Sequence, residues 1–174
     1  MRRILWLNGA FGVGKSTTAL HIMGIDPSWH LFDPEWVGYM LRANLHGFEE
    51  ADFQDYPAWR TLVPRVAHEV ATHTGRDLLA VQTVLNRDHW RQLRSGLSAL
   101  GLQSVHVLLD AEPEAIRMRI DGDTADAGAA AWRHGHLPEF GSSRQWMRDD
   151  ADIVVDTTVL TAEETAAAVL GRVS

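Results

Sequence analysis

Gly9-Ala10-Phe11-Gly12-Val13-Gly14-Lys15-Ser16-Thr17 decides the fold, because it fits the pattern G-x-x-x-x-G-K-[ST] at every fixed position. The apolar run Ile4-Leu5-Trp6-Leu7 before it reads as a short buried strand, and Thr17-Thr18-Ala19-Leu20-His21-Ile22-Met23 after it reads as a helix. Strand, glycine loop and helix in that order build a cradle for phosphate. Glycine lets backbone N–H groups turn inward at φ values and approach distances that a Cβ would block. Lys15 then reaches the β- and γ-phosphates of a nucleoside triphosphate, Ser16 offers its hydroxyl to Mg²⁺, and the helix N-terminus favours the anion. Gly9, Ala10, Phe11, Gly12, Val13, Gly14, Lys15, Ser16 and Thr17 are therefore the expected nucleotide-binding residues. The motif alone leaves the fate of the γ-phosphate open, since kinases, hydrolases and switches share it.

The totals narrow the field. A chain of 174 residues suits one domain with a sizeable core. Sixteen Lys and Arg against 23 Asp and Glu give a net charge of −7, which argues against a broad nucleic-acid surface and for a small-molecule partner. With no cysteine, thiolate nucleophiles, disulfides and Cys-ligated zinc are excluded, in keeping with a cytoplasmic location. Met1-Arg2-Arg3 is basic, but the apolar run behind it is four residues long and enters the phosphate loop, so it does not read as a signal peptide. No apolar stretch approaches a membrane span, and stable membrane insertion is not expected. Monomer and homodimer both stay open.

Further along, Gly24–Ser28 reads as a turn and Trp29-His30-Leu31-Phe32 as a second strand, ending at Asp33-Pro34. Pro34 suits the first turn of a helix over 35–43, with Asp33 as its cap. Residues 45–55 carry no regular period and read as an acidic loop. An amphipathic helix follows from about Tyr56 to Thr74, with Trp59, Leu62, Val63, Val66 and Val70 on its apolar side. Leu78-Leu79-Ala80-Val81 is the third strand, with Gln82-Thr83 at its carboxyl end. Residues 87–100 form a helix stopped by Gly101, and Ser104–Leu109 is the fourth strand. Pro113 opens a helix carrying Arg117 and Arg119, and Asp121–Gly128 has the residues of a mobile loop. A helical stretch with Arg144 and Arg148 leads to the fifth strand, Ile153–Asp156. An alanine-rich helix over 161–171 closes the chain behind Thr161-Ala162-Glu163-Glu164, a capping-box pattern.

Five short apolar strands alternating with helices predict an α/β domain, a parallel sheet covered on both faces with right-handed crossovers. In such sheets ligands sit beyond the strands' carboxyl ends. Gly9–Ser16, Asp33, Gln82-Thr83 and the loop after Asp156 are distant in sequence, yet all fall on that rim. No carboxylate ends the third strand, so a magnesium ion would rely on Ser16 and Asp33, or on Gln82 or Thr83 through water. His134 and His136 lack carboxylate support at metal-ligand spacing and read as surface residues. Among the seven tryptophans, Trp6 and Trp90 read as core, while Trp29, Trp36 and Trp59 fall in one segment where packing and ligand-facing roles are both open.

Gly38-Tyr39-Met40-Leu41-Arg42-Ala43 resembles the acceptor helix of adenylate-type kinases, a group of small P-loop kinases that includes shikimate kinase and chloramphenicol phosphotransferase. Three segments carry a more specific likeness: Leu5–Lys15, Phe32-Asp33-Pro34-Glu35 with Gly38 and Leu41-Arg42, and Asp52-Phe53-Gln54-Asp55-Tyr56-Pro57 with Trp59-Arg60. In these the chain resembles the tunicamycin resistance protein family, densely over residues 4–60 and more loosely beyond. That resemblance implies a kinase-type strand order 2-3-1-4-5, an acceptor-binding region at about 34–75 and a short lid at about 117–140. It further implies ATP and Mg²⁺ as cofactors and a nucleoside-like antibiotic as acceptor, tunicamycin- or capuramycin-like.

Under this resemblance each residue takes a role. Asp33 accepts the proton of the acceptor hydroxyl and shares magnesium with Ser16, while Glu35 reads as an ordinary first-turn acid. Lys15, Arg117 and Arg119 neutralise the transferring phosphoryl group, and Arg117, Arg133 and Thr157 join the nucleotide site. Asp33, Trp36, Arg42, Asp52, Gln54, Arg60 and Gln82 face the acceptor, the arginines through planar contacts. Two other readings stay open, an ATP-dependent protein that sequesters the drug unchanged and a metabolic nucleoside or sugar kinase.

Overall fold

The computed structural model describes residues 2–124 and 127–173. Its centre is the strand expected before the glycine loop. β1 (Arg2–Asn8) is flanked on both sides, by β3 (Asp77–Val81) and by β4 (Leu102–Asp110), in a five-stranded parallel sheet of order β2-β3-β1-β4-β5. The edges are β2 (Trp29–Phe32) and β5 (Ile153–Asp156). Successive side chains of a strand point to opposite faces, so β1 feeds two cores. Leu5 and Leu7 join Ala19 and Ile22 of α1 (Lys15–Ile25) and Val169 of α8 (Ala162–Val173). Ile4 and Trp6 join Trp59 and Val63 of α3 (Pro57–Thr74) and Trp90 and Leu93 of α4 (Arg87–Ala99). Ile4 through Leu7 are fully buried, and burial of such side chains stabilises by about 2–3 kcal/mol each. Trp6 also meets Trp90 edge-on at 5.5 Å and donates its indole N–H to the Gln82 carbonyl.

The remaining helices are α2 (Glu35–Asn44), α5 (Pro113–Gly122), α6 (Ala130–Gly135) and α7 (Leu137–Asp150), with single 3₁₀ turns at Phe53–Asp55 and Ala127–Ala129. The expected elements are all present, with shifted bounds. Helix α1 starts at Lys15, two residues before the apolar period, because the glycine loop itself delivers the first turn. It also runs through Gly24 and Ile25, which the sequence places in a turn. The stripe of α3 is rotated from the expected one. Trp59, Val63, Ala67 and Ala71 form its buried spine, while Leu62, Val66 and Val70 flank it. Small alanines, invisible to a count of large apolar residues, let α3 lie close to the sheet. Helix α5 extends to Gly122 into the stretch expected as a loop, of which Ala125 and Asp126 lie outside the described residues. The capping box of α8 is formed, with Thr161 Oγ1 accepting from the Glu164 N–H and Glu164 Oε2 accepting from the Thr161 N–H at 2.8 Å.

Candidate active site

The glycine loop crosses the carboxyl end of β1 with Gly9, Gly12 and Gly14 at φ of 142°, 81° and 103°. Two of these positions also lack room. A Cβ on Gly9 would stand 2.3 Å from the Leu109 carbonyl oxygen, and one on Gly12 would stand 2.5 Å from Ile120. The loop's start is pinned by Asn8, whose Oδ1 accepts the Gly9 and Val84 N–H groups at 2.9 Å each. Its amide nitrogen donates to the Val84 carbonyl and to His106 Nε2, both at 3.2 Å. With Nε2 accepting, His106 carries its proton on Nδ1, which faces the Asp150 carbonyl at 3.3 Å. Burial pushes the His106 imidazole down to about 4.

Inside the loop, Lys15 Nζ donates to the Gly9 and Ala10 carbonyls at 3.1 and 2.8 Å and lies 5.4 Å over the Phe11 ring. Its pKa falls to about 7, chiefly through burial, with the Glu35 carboxylate opposing the fall and Arg133 adding to it. The ammonium therefore stands at the centre of the loop in a desolvated position that an anion would stabilise.

A cleft of about 1340 Å³ opens above the loop. Pockets for single small ligands run to roughly 300–1,000 Å³, so this cleft is larger than one such ligand needs. Phe11, Gly12, Val13, Gly14, Lys15, Ser16 and Thr17 line it, with Gly9 and Ala10 as holders of Lys15. Arg119, Arg133 and Thr157 line it as well. Arg119 donates to the Val13 carbonyl, to Thr157 Oγ1 at 3.0 Å and to the Thr157 carbonyl, while Arg133 pairs with Asp123 at 2.6 Å. Asp33, Arg42, Asp52, Gln54 and Gln82 line the same cleft.

Besides Gly9 and Ala10, three expected site residues stand outside the cleft lining. Trp36 is 70 % exposed, set edge-on against Tyr39 at 5.8 Å, because α2 buries Val37, Gly38 and Leu41 instead. Arg60 turns back to hold the Gln54 carbonyl and Gln92 Oε1, so it braces the 3₁₀ turn at Phe53–Asp55. Arg117 pairs with Glu114 on the surface. At 3.6 residues per turn, Arg117 and Arg119 fall on opposite sides of the buried pair Ile116 and Ile120, and only one side faces the loop.

Further contacts complete the site, and among them Glu35, His89 and Trp132 had no sequence signal strong enough to single them out. Glu35 lines the cleft, accepts from the Tyr39 hydroxyl at 3.0 Å and acts on the charge of Lys15, so it is more than a first-turn acid. Asp33 accepts the Glu35 N–H at 2.9 Å from one residue ahead of the N-cap, which is Pro34 rather than the expected Asp33, and it lines the cleft. Asp55 and His89, both lining the cleft, meet at 4.0 Å, and burial holds the His89 imidazole below its ordinary value. Phe11 packs edge-on against Trp132 at 4.6 Å and near His136 at 5.4 Å, so α6 covers the phosphate loop with an aromatic cap. His134 reaches Asp121 at 2.7 Å, and no His/Asp/Glu cluster able to hold a metal is present among the described residues. At the end of β4, buried Asp110 takes both carboxylate bonds of Arg144 Nε and a contact from Arg148, which ties α7 to the rim.

Together, a central parallel sheet of order 2-3-1-4-5, a glycine loop with its lysine and a cleft above that loop define a kinase-type P-loop nucleotide-binding domain. The chain belongs to the AAA domain family AAA_33, whose model matches residues 4–136. Among solved structures it is similar to the tunicamycin resistance protein of Deinococcus radiodurans, with 26 % identity, a TM-score of 0.78, and coverage of 100 % of this chain and 96 % of that one. It shares its fold with Mycobacterium tuberculosis APS kinase in complex with AMPPNP and APS (18 % identity, TM-score 0.62, 99 % and 97 % coverage). The same holds for shikimate kinase from Bacteroides thetaiotaomicron (14 % identity, TM-score 0.58, 98 % and 97 % coverage). No curated protein matches the sequence. No helix among the described residues is long and apolar enough to cross a membrane.

Proposed function

We propose that this protein is a cytoplasmic ATP-dependent phosphotransferase that moves the γ-phosphate to a hydroxyl of a nucleoside-like antibiotic, tunicamycin- or capuramycin-like, and so confers resistance. The observation that carries the reading is one cleft lined both by the phosphate loop and by the polar residues Asp33, Arg42, Asp52 and Gln54. Full-length similarity to a tunicamycin resistance protein supports the choice of acceptor. Residues 34–75 are the acceptor-binding region and 117–140 the lid.

In this reading the loop N–H groups and Lys15 hold the β- and γ-phosphates, while Arg119 and Arg133 add positive charge from the lid side. The residues present fit a nucleotide, because the positive φ of Gly9, Gly12 and Gly14 turns the loop as a phosphate cradle requires and Lys15 stands desolvated at its centre. Ser16 and Asp33, both on the cleft, would hold Mg²⁺, which would neutralise phosphate charge. The acceptor oxygen forms a bond to the γ-phosphorus as the bond to the β-phosphate oxygen breaks. ADP leaves, and the hydroxyl proton passes to Asp33. Trp132 and His136 keep water from the phosphates from above.

The test of mechanism compares two carboxylates. Asp33→Asn is expected to keep nucleotide affinity and lose about 10²–10⁴-fold in kcat, the range of a general base. Near-normal turnover in Asp33→Asn together with that loss in Glu35→Gln would move the base role to Glu35.

A further inference from the structure

His89 lines the cleft from the first turn of α4, beside the 3₁₀ turn at Phe53–Asp55, which lines it as well. Its Nε2 stands 4.0 Å from Asp55 Oδ1, too far for a hydrogen bond. Among the described residues, neither ring nitrogen of His89 and neither carboxylate oxygen of Asp55 has a hydrogen-bond partner. The His89 side chain is 14 % exposed and that of Asp55 51 %, so both keep open surface where they line the cleft.

The gap is held open from both sides. Asn86 Oδ1 accepts the His89 N–H at 3.2 Å and fixes the start of α4. Across the gap, Asp52 Oδ1 accepts the Gln54 N–H, and Gln54 Nε2 donates to the Thr83 carbonyl at 2.8 Å, which fixes the turn. Arg60 ties the two frames together, since it donates to the Gln54 carbonyl and to Oε1 of Gln92, one turn beyond His89 on α4. Burial first, then the Arg60 guanidinium, lower the His89 pKa against the carboxylates of Asp55, Asp52 and Asp88. The ring is therefore neutral at pH 7, and the nearby carboxylate favours the tautomer with its proton on Nε2.

A donor and a charged acceptor 4.0 Å apart leave room for one oxygen between them, since a point about 2.8 Å from each closes the triangle. That oxygen must accept from the imidazole N–H and donate to the carboxylate. A hydroxyl does both, whereas a carbonyl or carboxylate oxygen has no proton to give Asp55. We propose that His89 and Asp55 together bind one hydroxyl of the acceptor molecule. The assignment rests on the proposed phosphotransfer, in which Asp33 takes the reacting hydroxyl, so this pair reads a second hydroxyl of the same molecule. The acceptor class that fits is a polyhydroxyl one, such as a sugar ring.

His89→Phe keeps a ring and removes its nitrogens, Asp55→Ala removes the carboxylate, the double variant combines them, and His89→Gln restores a donor. Calorimetry reads tunicamycin in the presence of Mg-AMPPNP, and Mg-AMPPNP alone, beside a thermal melt of each free protein. His89→Phe and Asp55→Ala should each bind tunicamycin about tenfold more weakly, the size of a lost hydrogen bond. The double variant should lose little more than either one, because a single hydroxyl serves both groups. His89→Gln should recover part of the loss, and Mg-AMPPNP affinity should not change. Unchanged tunicamycin binding in either single variant, or losses that multiply in the double variant, would overturn the proposal. So would an equal loss of Mg-AMPPNP affinity, which would assign the pair to the nucleotide. Melting temperatures lowered in step with affinity in all four variants would make the pair structural and overturn it too. If the natural protein binds no tunicamycin, the proposed acceptor class fails on its own. The same cycle is then read with uridine, gluconate and shikimate, where unchanged binding, multiplying losses or no binding of any of the three overturns the shared hydroxyl.

Discussion

Protonation of His106 should cut the anchor of the phosphate loop, and its cost can be worked out. The imidazole is fully buried, accepts from Asn8 at Nε2 and is held at about 4 against an ordinary value of 6.5. A folded-state pKa below the unfolded one means that the unfolded chain binds the extra proton between these values. His106 therefore favours the folded state least at low pH, and stability falls as pH drops from 6.5 towards 4. A gap of about 2.5 pK units corresponds to about 3 kcal/mol in full, of which about 2 kcal/mol is lost by pH 5. Urea unfolding of the natural protein and of His106→Gln at pH 7.5 and pH 5.0 reads the difference, since carboxylate titration is common to both. The natural protein should lose about 2 kcal/mol more than the variant over that interval. Equal losses would refute the account, and would mean that His106 is solvated or charged in the folded protein.

Lys15 titrates near 7, so nucleotide affinity should weaken about tenfold between pH 7.5 and 8.5 as the free ammonium loses its proton, with Lys15→Arg flat over the same range. Calorimetry with Mg-AMPPNP checks this, and a flat profile in the natural protein would show that Lys15 is charged throughout. A Cβ on Gly38 would stand 2.5 Å from the Phe53 ring, which itself packs on Trp59 and beneath Arg42. Gly38→Ala should therefore cost about 1–3 kcal/mol in unfolding experiments, despite the better helix propensity of alanine, and raise the acceptor KM more than the nucleotide Kd.

The fold was legible because its signals are local. An apolar run, three glycines and Lys15-Ser16 lie within a dozen residues, and each later strand repeats the pattern of a short apolar stretch at a helix boundary. The rim residues Asp33 and Gln82 could be placed by the same logic, since a strand end fixes position along the sheet. What sequence did not supply is direction around a helix. Arg117 and Arg119 look alike in a row of letters, yet a 200° rotation separates surface from cleft. Trp36 has the composition of a ligand contact, while the neighbours it would need are taken by Gly38 against Phe53. The clamp of Asp110 with Arg144 and Arg148 and the wire from Asn8 to His106 join residues 34 to 98 positions apart, and no short-range pattern announces them. Glu35 was discounted because acids are common in first turns. Its effect on Lys15 becomes visible only once β1 and β2 lie in one sheet.

The central claim is transfer of a phosphoryl group to a nucleoside-like drug, and mass spectrometry tests it directly. The protein is incubated with Mg-ATP and a panel of tunicamycin- and capuramycin-type nucleosides beside uridine, gluconate and shikimate. The account predicts that a drug gains the mass of one phosphoryl group while ADP appears in equal amount. Tight binding of the drug with its mass unchanged, or phosphorylation of the metabolites alone, would contradict it.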